Sequence, residues 1–271
     1  MKELSFLDGR KLLQAIPLRS LVYGEGVFET FRWKRGPPVF LKRHIARMEL
    51  GARFLGVPFP GSRSIKTKLF RATEDCQNKD ISVKVCLLSS GPMKFSKLPA
   101  GSHILIVLRD YESSKPGVRV HVSSTNRNSS SKLSPFKSLN YLENVIARRE
   151  AELLGFDEFV FVNERGELAE GATTNIFWGR RGALYTPELS CGLLPGITRE
   201  LLMTSAEEIG LKVVEGRYRL RALLRSKGSY LTNSLMGISQ ITEVDGAKLA
   251  SGGPLYMALK DSLLEKLGWL D

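Results

Sequence analysis

The chain has 271 residues, 42% hydrophobic and 25% charged, the make-up of an ordinary globular protein with one large domain or two modest ones. No apolar run approaches the length of a membrane span, and Cys76, Cys86 and Cys191 are too few and too scattered for a disulfide frame or a zinc site, so no metal is expected. A net charge of +12 and a pI near 9.7 would suit nucleic acid, but the basic residues are dispersed and no nucleic-acid motif accompanies them, which leaves a surface that favours small anions.

Met1-Lys2-Glu3-Leu4 opens without a signal-peptide pattern, and a reducing cytoplasm is the expected setting. Leu4–Leu7 and Lys11–Gln14 flank the turn dipeptide Asp8-Gly9 and read as a hairpin. Val27–Trp33 is a strand. From Leu41 the period becomes helical: Leu41, Ile45, Met48, Ala52 and Leu55 form a core face, while His44, Arg47 and Gly51 lie on a neighbouring face where the glycine permits close approach. Ser82–Leu88 and Ile104–Leu108 read as buried strands. The polar stretch from Asp110 to Gly117 is the strongest boundary in the chain. It divides an N-terminal domain, 1–110, from a C-terminal domain, 118–271, with 111–117 as linker.

Asn126–Ser131 reads as a mobile serine-rich loop without chemistry. Tyr141–Leu154 is helical, with Leu142, Val145, Ile146 and Leu153 on one side and Gly155 as its stop. Phe159–Val162, Glu167–Glu170, Asn175–Trp178 and Ala183–Thr186 form a meander of short strands. Thr198–Ile209 is a helix, Tyr230–Thr232 and Ile241–Val244 are strands, and Leu255–Leu267 is a closing helix. The sum is an α+β chain of two domains.

Three features carry chemistry. Lys137 opens Lys137-Ser138-Leu139-Asn140-Tyr141-Leu142; beside apolar neighbours, a desolvated lysine loses pKa and becomes nucleophilic, although local context leaves a solvated charge equally open. Glu170 ends a strand before a small polar run, and is either a rim carboxylate or the partner of a ring nitrogen. Gly196-Ile197-Thr198 begins a helix, where free N–H groups and the helix dipole favour an anion; Thr198 could equally be a plain N-cap. Thr232-Asn233-Ser234 offers further donors, and Arg47 a charge-assisted contact to the same anion. An amine, a carboxylate and a helix start together meet the requirements of pyridoxal phosphate.

Tyr23-Gly24-Glu25-Gly26-Val27-Phe28-Glu29-Thr30, His44-Ile45-Ala46-Arg47, Lys137-Ser138-Leu139-Asn140, Glu170-Gly171-Ala172-Thr173-Thr174-Asn175 and Leu194-Pro195-Gly196-Ile197-Thr198-Arg199 occur in order. With these motifs, from about Leu4 to about Gly246, the chain resembles the class IV aminotransferases, the fold-type IV pyridoxal 5'-phosphate enzymes. The resemblance implies a small N-terminal α/β domain, a larger C-terminal pseudo-barrel with the cofactor between them, and a homodimer acting on a small-molecule amine, with no nucleic-acid or membrane partner. It makes Lys137 the Schiff-base lysine and proton carrier and Glu170 the partner of the pyridine nitrogen. Arg47, Ile197, Thr198 and Ser234 match the phosphate cup, with Asn233 in the same loop, and Tyr141 lies near the position of the phenolic oxygen.

Three activities dominate the family. Branched-chain enzymes usually have Gly after Phe-Glu, where this chain has Thr30. D-amino-acid enzymes carry an Arg-x-His absent from Ser89–Phe95. Thr30 matches a lyase threonine that assists proton transfer, and Asn233-Ser234-Leu235-Met236-Gly237 resembles the lyase phosphate loop. Ser89-Ser90-Gly91 and Gln240 depart from the lyase pattern and bear on substrate recognition. The resemblance therefore implies aminodeoxychorismate lyase, which releases pyruvate and makes 4-aminobenzoate for folate, before an aminotransferase of D- or branched-chain L-amino acids with 2-oxoglutarate. An inactive binding relative is the remaining alternative, and intact Lys137 and Glu170 argue against it. Lys94, Lys97 and Arg32 are available cations for substrate carboxylates, though each also reads as surface charge.

Overall fold

The computed structural model describes residues 6–7, 10–11, 17–76, 78–113 and 117–270. β1 (Phe6–Leu7) and β2 (Arg10–Lys11) pair antiparallel, as a hairpin requires; the rest of that expected hairpin, with Asp8-Gly9, lies outside the described residues, as do 114–116 of the expected linker.

After α1 (Leu18–Tyr23), three antiparallel strands form a small sheet in the order β3 (Gly26–Lys34), β4 (Asp80–Ser90), β5 (Gly101–Asp110). Two helices, α2 (Leu41–Leu55) and α3 (Ser62–Ala72), close one face of it. Strand alternation sends Val27, Phe31 and Trp33 of β3 towards Leu41, Ile45, Met48 and Ala52 of α2, and Ile65 and Leu69 of α3 join the same core. Gly51 takes Val27 against its backbone, where a Cβ would stand 2.8 Å from Val27 Cγ1. α3 leaves little trace in the sequence, because its two core residues are four apart in a run of charges. Ile104–Leu108 is not the buried strand expected: β5 is an edge strand, and Leu105 is 46% exposed.

Nine strands form the large sheet: β6 (Gly117–Arg127), β7 (Glu158–Asn163), β8 (Leu168–Gly171), β9 (Asn175–Arg180), β10 (Ala183–Pro187), β11 (Lys212–Gly216), β12 (Ser229–Asn233), β13 (Gly237–Val244) and β14 (Ala247–Lys248). The hydrogen-bonded path is β11-β10-β9-β12-β13-β6-β7-β8, with β14 on β13. The end strand β8 returns against β9 and β10, so the sheet curls into a half-barrel. The expected meander is therefore two hairpins, β7–β8 and β9–β10, separated along the path by β12, β13 and β6. The β6 strand, unread in the sequence, runs through Asn126 and Arg127, the start of the supposed loop.

Four helices accompany this sheet: α4 (Leu142–Leu153), α5 (Ile197–Glu208), α6 (Leu220–Leu224) and α7 (Pro254–Leu267). Leu201, Leu202, Leu259 and Leu263 of α5 and α7 share one core with Phe177 and Tyr230 of the sheet. The apolar side of α4 is not the side that meets the sheet. It buries Asn144, Ala147 and Ala151 against Phe159 and Phe161, while Leu142, Ile146 and Leu153 are exposed. Its small residues, not its leucines, allow close approach to the sheet. Among the described residues no helix is long and apolar enough to cross a membrane.

Leu87 is fully buried at the centre of the small core. Leu87→Ala is expected to lower unfolding stability by about 2–5 kcal/mol, and Leu105→Ala on the edge strand by no more than about 1 kcal/mol. Urea unfolding of both variants checks this; equal losses would contradict the edge placement of β5.

Candidate active site

One cavity of about 560 Å³ opens between the small sheet and the half-barrel. Every residue expected in catalysis or cofactor binding lines it: Thr30, Arg47, Lys137, Tyr141, Glu170, Ile197, Thr198, Asn233 and Ser234. The segment carrying Lys137 docks on the outer edge of β3. Phe28 N–H donates to Lys137 O at 2.8 Å, and Leu139 N–H donates to Gly26 O at 2.9 Å. The Lys137 amine lies 4.6 Å from the centre of the Phe28 ring and 5.3 Å from that of Tyr141. Burial, reinforced by the charge of Arg47, lowers its pKa to about 8 against the opposing pull of Glu29 and Glu170. Among the described residues no carboxylate forms an ion pair with it, so the amine stays available.

Strand alternation divides the work of β3. Phe28 and Thr30 face the cavity, and Glu29 faces α2. Glu29 accepts both arms of Arg47, Nε at 2.8 Å and Nη2 at 2.7 Å, and lies 2.7 Å from His44 Nδ1. Burial pushes the Glu29 carboxyl up, but Arg47 and His44 together bring it down to about 2. Arg47 Nη1 also donates to Pro195 O at 3.0 Å, which fixes the guanidinium at the entrance to α5.

Glu170 stands at the end of β8. Its Oε2 accepts from Leu194 N–H at 2.9 Å and Asn175 Nδ2 at 3.5 Å, and its Oε1 from Arg127 Nη2 at 3.2 Å. Burial raises its pKa, although Arg127, the Leu194 N–H and Lys137 each favour the anion. Tyr141 donates to Ala172 O at 2.9 Å, and burial beside Glu170 raises its phenol.

The N-cap of α5 is Gly196, so Thr198 is a first-turn residue and not the cap. A Cβ at Gly196 would lie 2.0 Å from Asn175 Oδ1, a contact only glycine avoids. Thr198 Oγ1 and Ser234 Oγ lie 3.0 Å apart, so two hydroxyls and the first turn of α5 converge at one end of the cavity, near Arg47. Asn233 Oδ1 accepts from Leu235 and Met236 N–H, and thus shapes the loop that carries Ser234.

These residues fit an aromatic aldehyde phosphate: an amine with a lowered pKa, a buried carboxylate beyond it, and an anion cup built from a helix start. Among the described residues no cluster of side chains could hold a metal ion.

Two lining residues were missed. Arg127 belongs to the stretch read as a loop without chemistry. Lys84, opposite Thr30 in the β3–β4 register, places its amine 4.5 Å from the Phe28 ring. A lone charge within the apolar run Ile81–Leu88 was its signal. Of the cations proposed instead, Arg32 pairs with Asp80 and stacks on Tyr111 at 3.9 Å, and neither it nor Lys94 nor Lys97 lines the cavity.

The family profile described as amino-transferase class IV matches residues 26–244. The chain is 32% identical over 240 residues to the aminodeoxychorismate lyase of Bacillus subtilis (strain 168), covering 85% of this chain and 81% of that protein. It is 28% identical over 280 residues to the branched-chain-amino-acid aminotransferase of Escherichia coli (strain K12), covering 93% and 90%. Among solved structures, a Legionella pneumophila protein described as a candidate 4-amino-4-deoxychorismate lyase superposes with a TM-score of 0.86 at 28% identity, over 91% of this chain and 93% of that one. The branched-chain aminotransferase from Thermoproteus uzoniensis gives 0.85 at 27% identity, over 97% and 94%. The chain belongs to the class IV aminotransferase family, is an enzyme, and has the fold-type IV architecture.

The Lys137 amine should react with an acylating reagent in proportion to its neutral fraction. In protein freed of any bound small molecule, labelling of Lys137 followed by peptide mapping is expected to rise with a midpoint near pH 8, against about 10.4 for surface lysines. A midpoint shared with the surface lysines would contradict its desolvation.

Proposed function

We propose that this class IV enzyme binds pyridoxal 5'-phosphate and acts as a 4-amino-4-deoxychorismate lyase, releasing pyruvate and 4-aminobenzoate. The observation that carries this reading is the β3–β4 wall of the cavity. There the Thr30 hydroxyl and the Lys84 ammonium stand opposite each other in register, and Lys84 and Lys137 flank the same Phe28 ring. A hydroxyl lining the same cavity as the Lys137 amine suits an elimination that needs a second proton carrier. A cation without a carboxylate partner among the described residues suits an anionic substrate.

Arg47, the first-turn N–H groups of Ile197 and Thr198, and the hydroxyls of Thr198 and Ser234 would bind the cofactor's phosphate. Glu170 would meet its ring nitrogen, and Tyr141 would lie beside its phenolic oxygen. When bound, the cofactor supplies a conjugated ring that accepts the electron pair left on the substrate carbon. Lys137 takes the proton from the carbon bearing the substrate amine. Thr30 assists proton delivery to the departing enolpyruvyl group. Lys84 holds a substrate carboxylate. Burial of Lys137 keeps a fraction of its amine neutral near pH 7, as a proton acceptor must be.

The branched-chain aminotransferases among its relatives support a second reading, transamination with 2-oxoglutarate. A paired assay on cofactor-loaded protein separates the two. The lyase reading expects pyruvate and 4-aminobenzoate from aminodeoxychorismate, with little keto-acid formation from D- or L-amino acids. Lys137→Ala is expected to abolish product, and Lys84→Met to raise KM roughly tenfold, about 1.4 kcal/mol of lost binding. Rapid transamination without lysis would overturn the lyase assignment. Protein that stays colourless with added cofactor would overturn both and favour a binding relative.

We also infer a homodimer, in which a second copy covers the exposed apolar face of α4, Leu142, Ile146 and Leu153. Light scattering is expected to give twice the 30.2 kDa chain mass, falling to the chain mass in Ile146→Glu; a monomeric wild type would refute it.

A further inference from the structure

Glu170 is not the end of the charge network behind the cavity. Arg127, at the last position of β6, donates from Nη2 to Glu170 Oε1 at 3.2 Å and from Nη1 to the half-exposed Glu143 of α4. Nη1 also reaches Asn144 Oδ1 at 3.5 Å, and the guanidinium lies 4.0 Å above the Phe161 ring. Its side chain is 11% exposed, and its Nε is buried without a partner among the described residues. The guanidinium is thus held by a fork and a stack, with one arm on a buried carboxylate that lines the cavity.

We propose that Arg127 is a positioning residue that keeps Glu170 anionic, and so biases a proton shared between Glu170 and a ring nitrogen towards the ring. This role rests on Glu170 being the ring's partner, and it follows from distance. A positive charge next to one member of a proton-sharing pair lowers the proton affinity of the nearer member more than that of the farther one. Arg127 touches the carboxylate directly, and a group hydrogen-bonded to the carboxylate from the cavity is one hydrogen bond farther away.

The other groups acting on Glu170 leave this task to Arg127. Burial favours the neutral acid, and Glu143 pushes the same way. Lys137 favours the anion, but its amine is the group that must lose and regain a proton during turnover. Arg47 couples to Glu170 but is already paired with Glu29, and Tyr141 lies near as a neutral phenol. Leu194 N–H and Asn175 Nδ2 are dipoles that bind the carboxylate without carrying charge. Arg127 is the cation in permanent contact. Without it, the balance acting on Glu170 moves towards the neutral acid, which would stay hydrogen-bonded in the same place but hold a protonated ring less well.

The test separates charge from shape with Arg127→Gln, which keeps a donor without the charge, and Arg127→Lys, which keeps the charge without the fork. In cofactor-stripped protein, infrared difference spectra against Glu170→Gln counterparts report the protonated carboxyl band of Glu170. The midpoint for losing that band is expected to rise by about one to three pH units in Arg127→Gln and to stay near wild type in Arg127→Lys. In protein loaded with pyridoxal phosphate labelled with nitrogen-15, the ring-nitrogen resonance is expected to move towards the unprotonated value in Arg127→Gln alone. Equal disturbance in both variants would show a purely structural residue and overturn the proposal, as would an unshifted midpoint in Arg127→Gln. The infrared arm needs no cofactor, so it stands if the assigned reaction or cofactor proves wrong.

Discussion

The outer edge of β3 organises the molecule. An unpaired strand edge is ordinarily a liability, because its N–H and C=O groups invite any passing strand. Here it is taken up within the chain. Phe28 N–H and Gly26 O pair with the backbone of Lys137 and Leu139, and Arg32 N–H donates to Ser234 O at 2.9 Å. One strand therefore sets the position of the Lys137 amine and of the loop that carries Ser234. Its period of two does the rest: Phe28 and Thr30 line the cavity, while Val27, Glu29 and Phe31 face α2.

The second constraint is electrostatic. Two carboxylates are withdrawn from water beside the cavity, and each would be strongly disfavoured alone. Glu29 has both arms of Arg47, and Glu170 has one arm of Arg127 with a backbone N–H. The unequal pairing has unequal effects: Glu29 falls to about 2, while Glu170 is raised because desolvation is only partly offset. With the carboxylates so engaged, the Lys137 amine is left to be tuned chiefly by its burial.

What the sequence disclosed followed from how local each signal was. The core face of α2 repeats within one helix, and the Gly196-Ile197-Thr198 start is written in consecutive residues. The packing face of α4 was not legible, because leucines at helical spacing mark an apolar face without saying what covers it, whereas Ala147 and Ala151 permit contact with the sheet. The β6 strand carries Val118 and Val120 in clean alternation, but was passed over among polar neighbours. Arg127 had no local signal, since Glu170 lies 43 positions along the chain. Lys84 could have been found from its lone charge in an apolar strand, but its direction into the cavity is set by pairing with Thr30.

The docking of the lysine segment on β3 also bears on how the protein is made. Asn140 Nδ2 donates to Gly24 O across a separation of 116 residues, and the neighbouring backbone bonds span similar distances. Contacts so remote in sequence form late, after the elements on either side have paid the entropy of ordering themselves. A chain arrested with either sheet alone therefore carries an ordinary, fully charged lysine. The burial that sets the Lys137 amine apart from surface lysines is a property of the assembled fold and of neither sheet on its own.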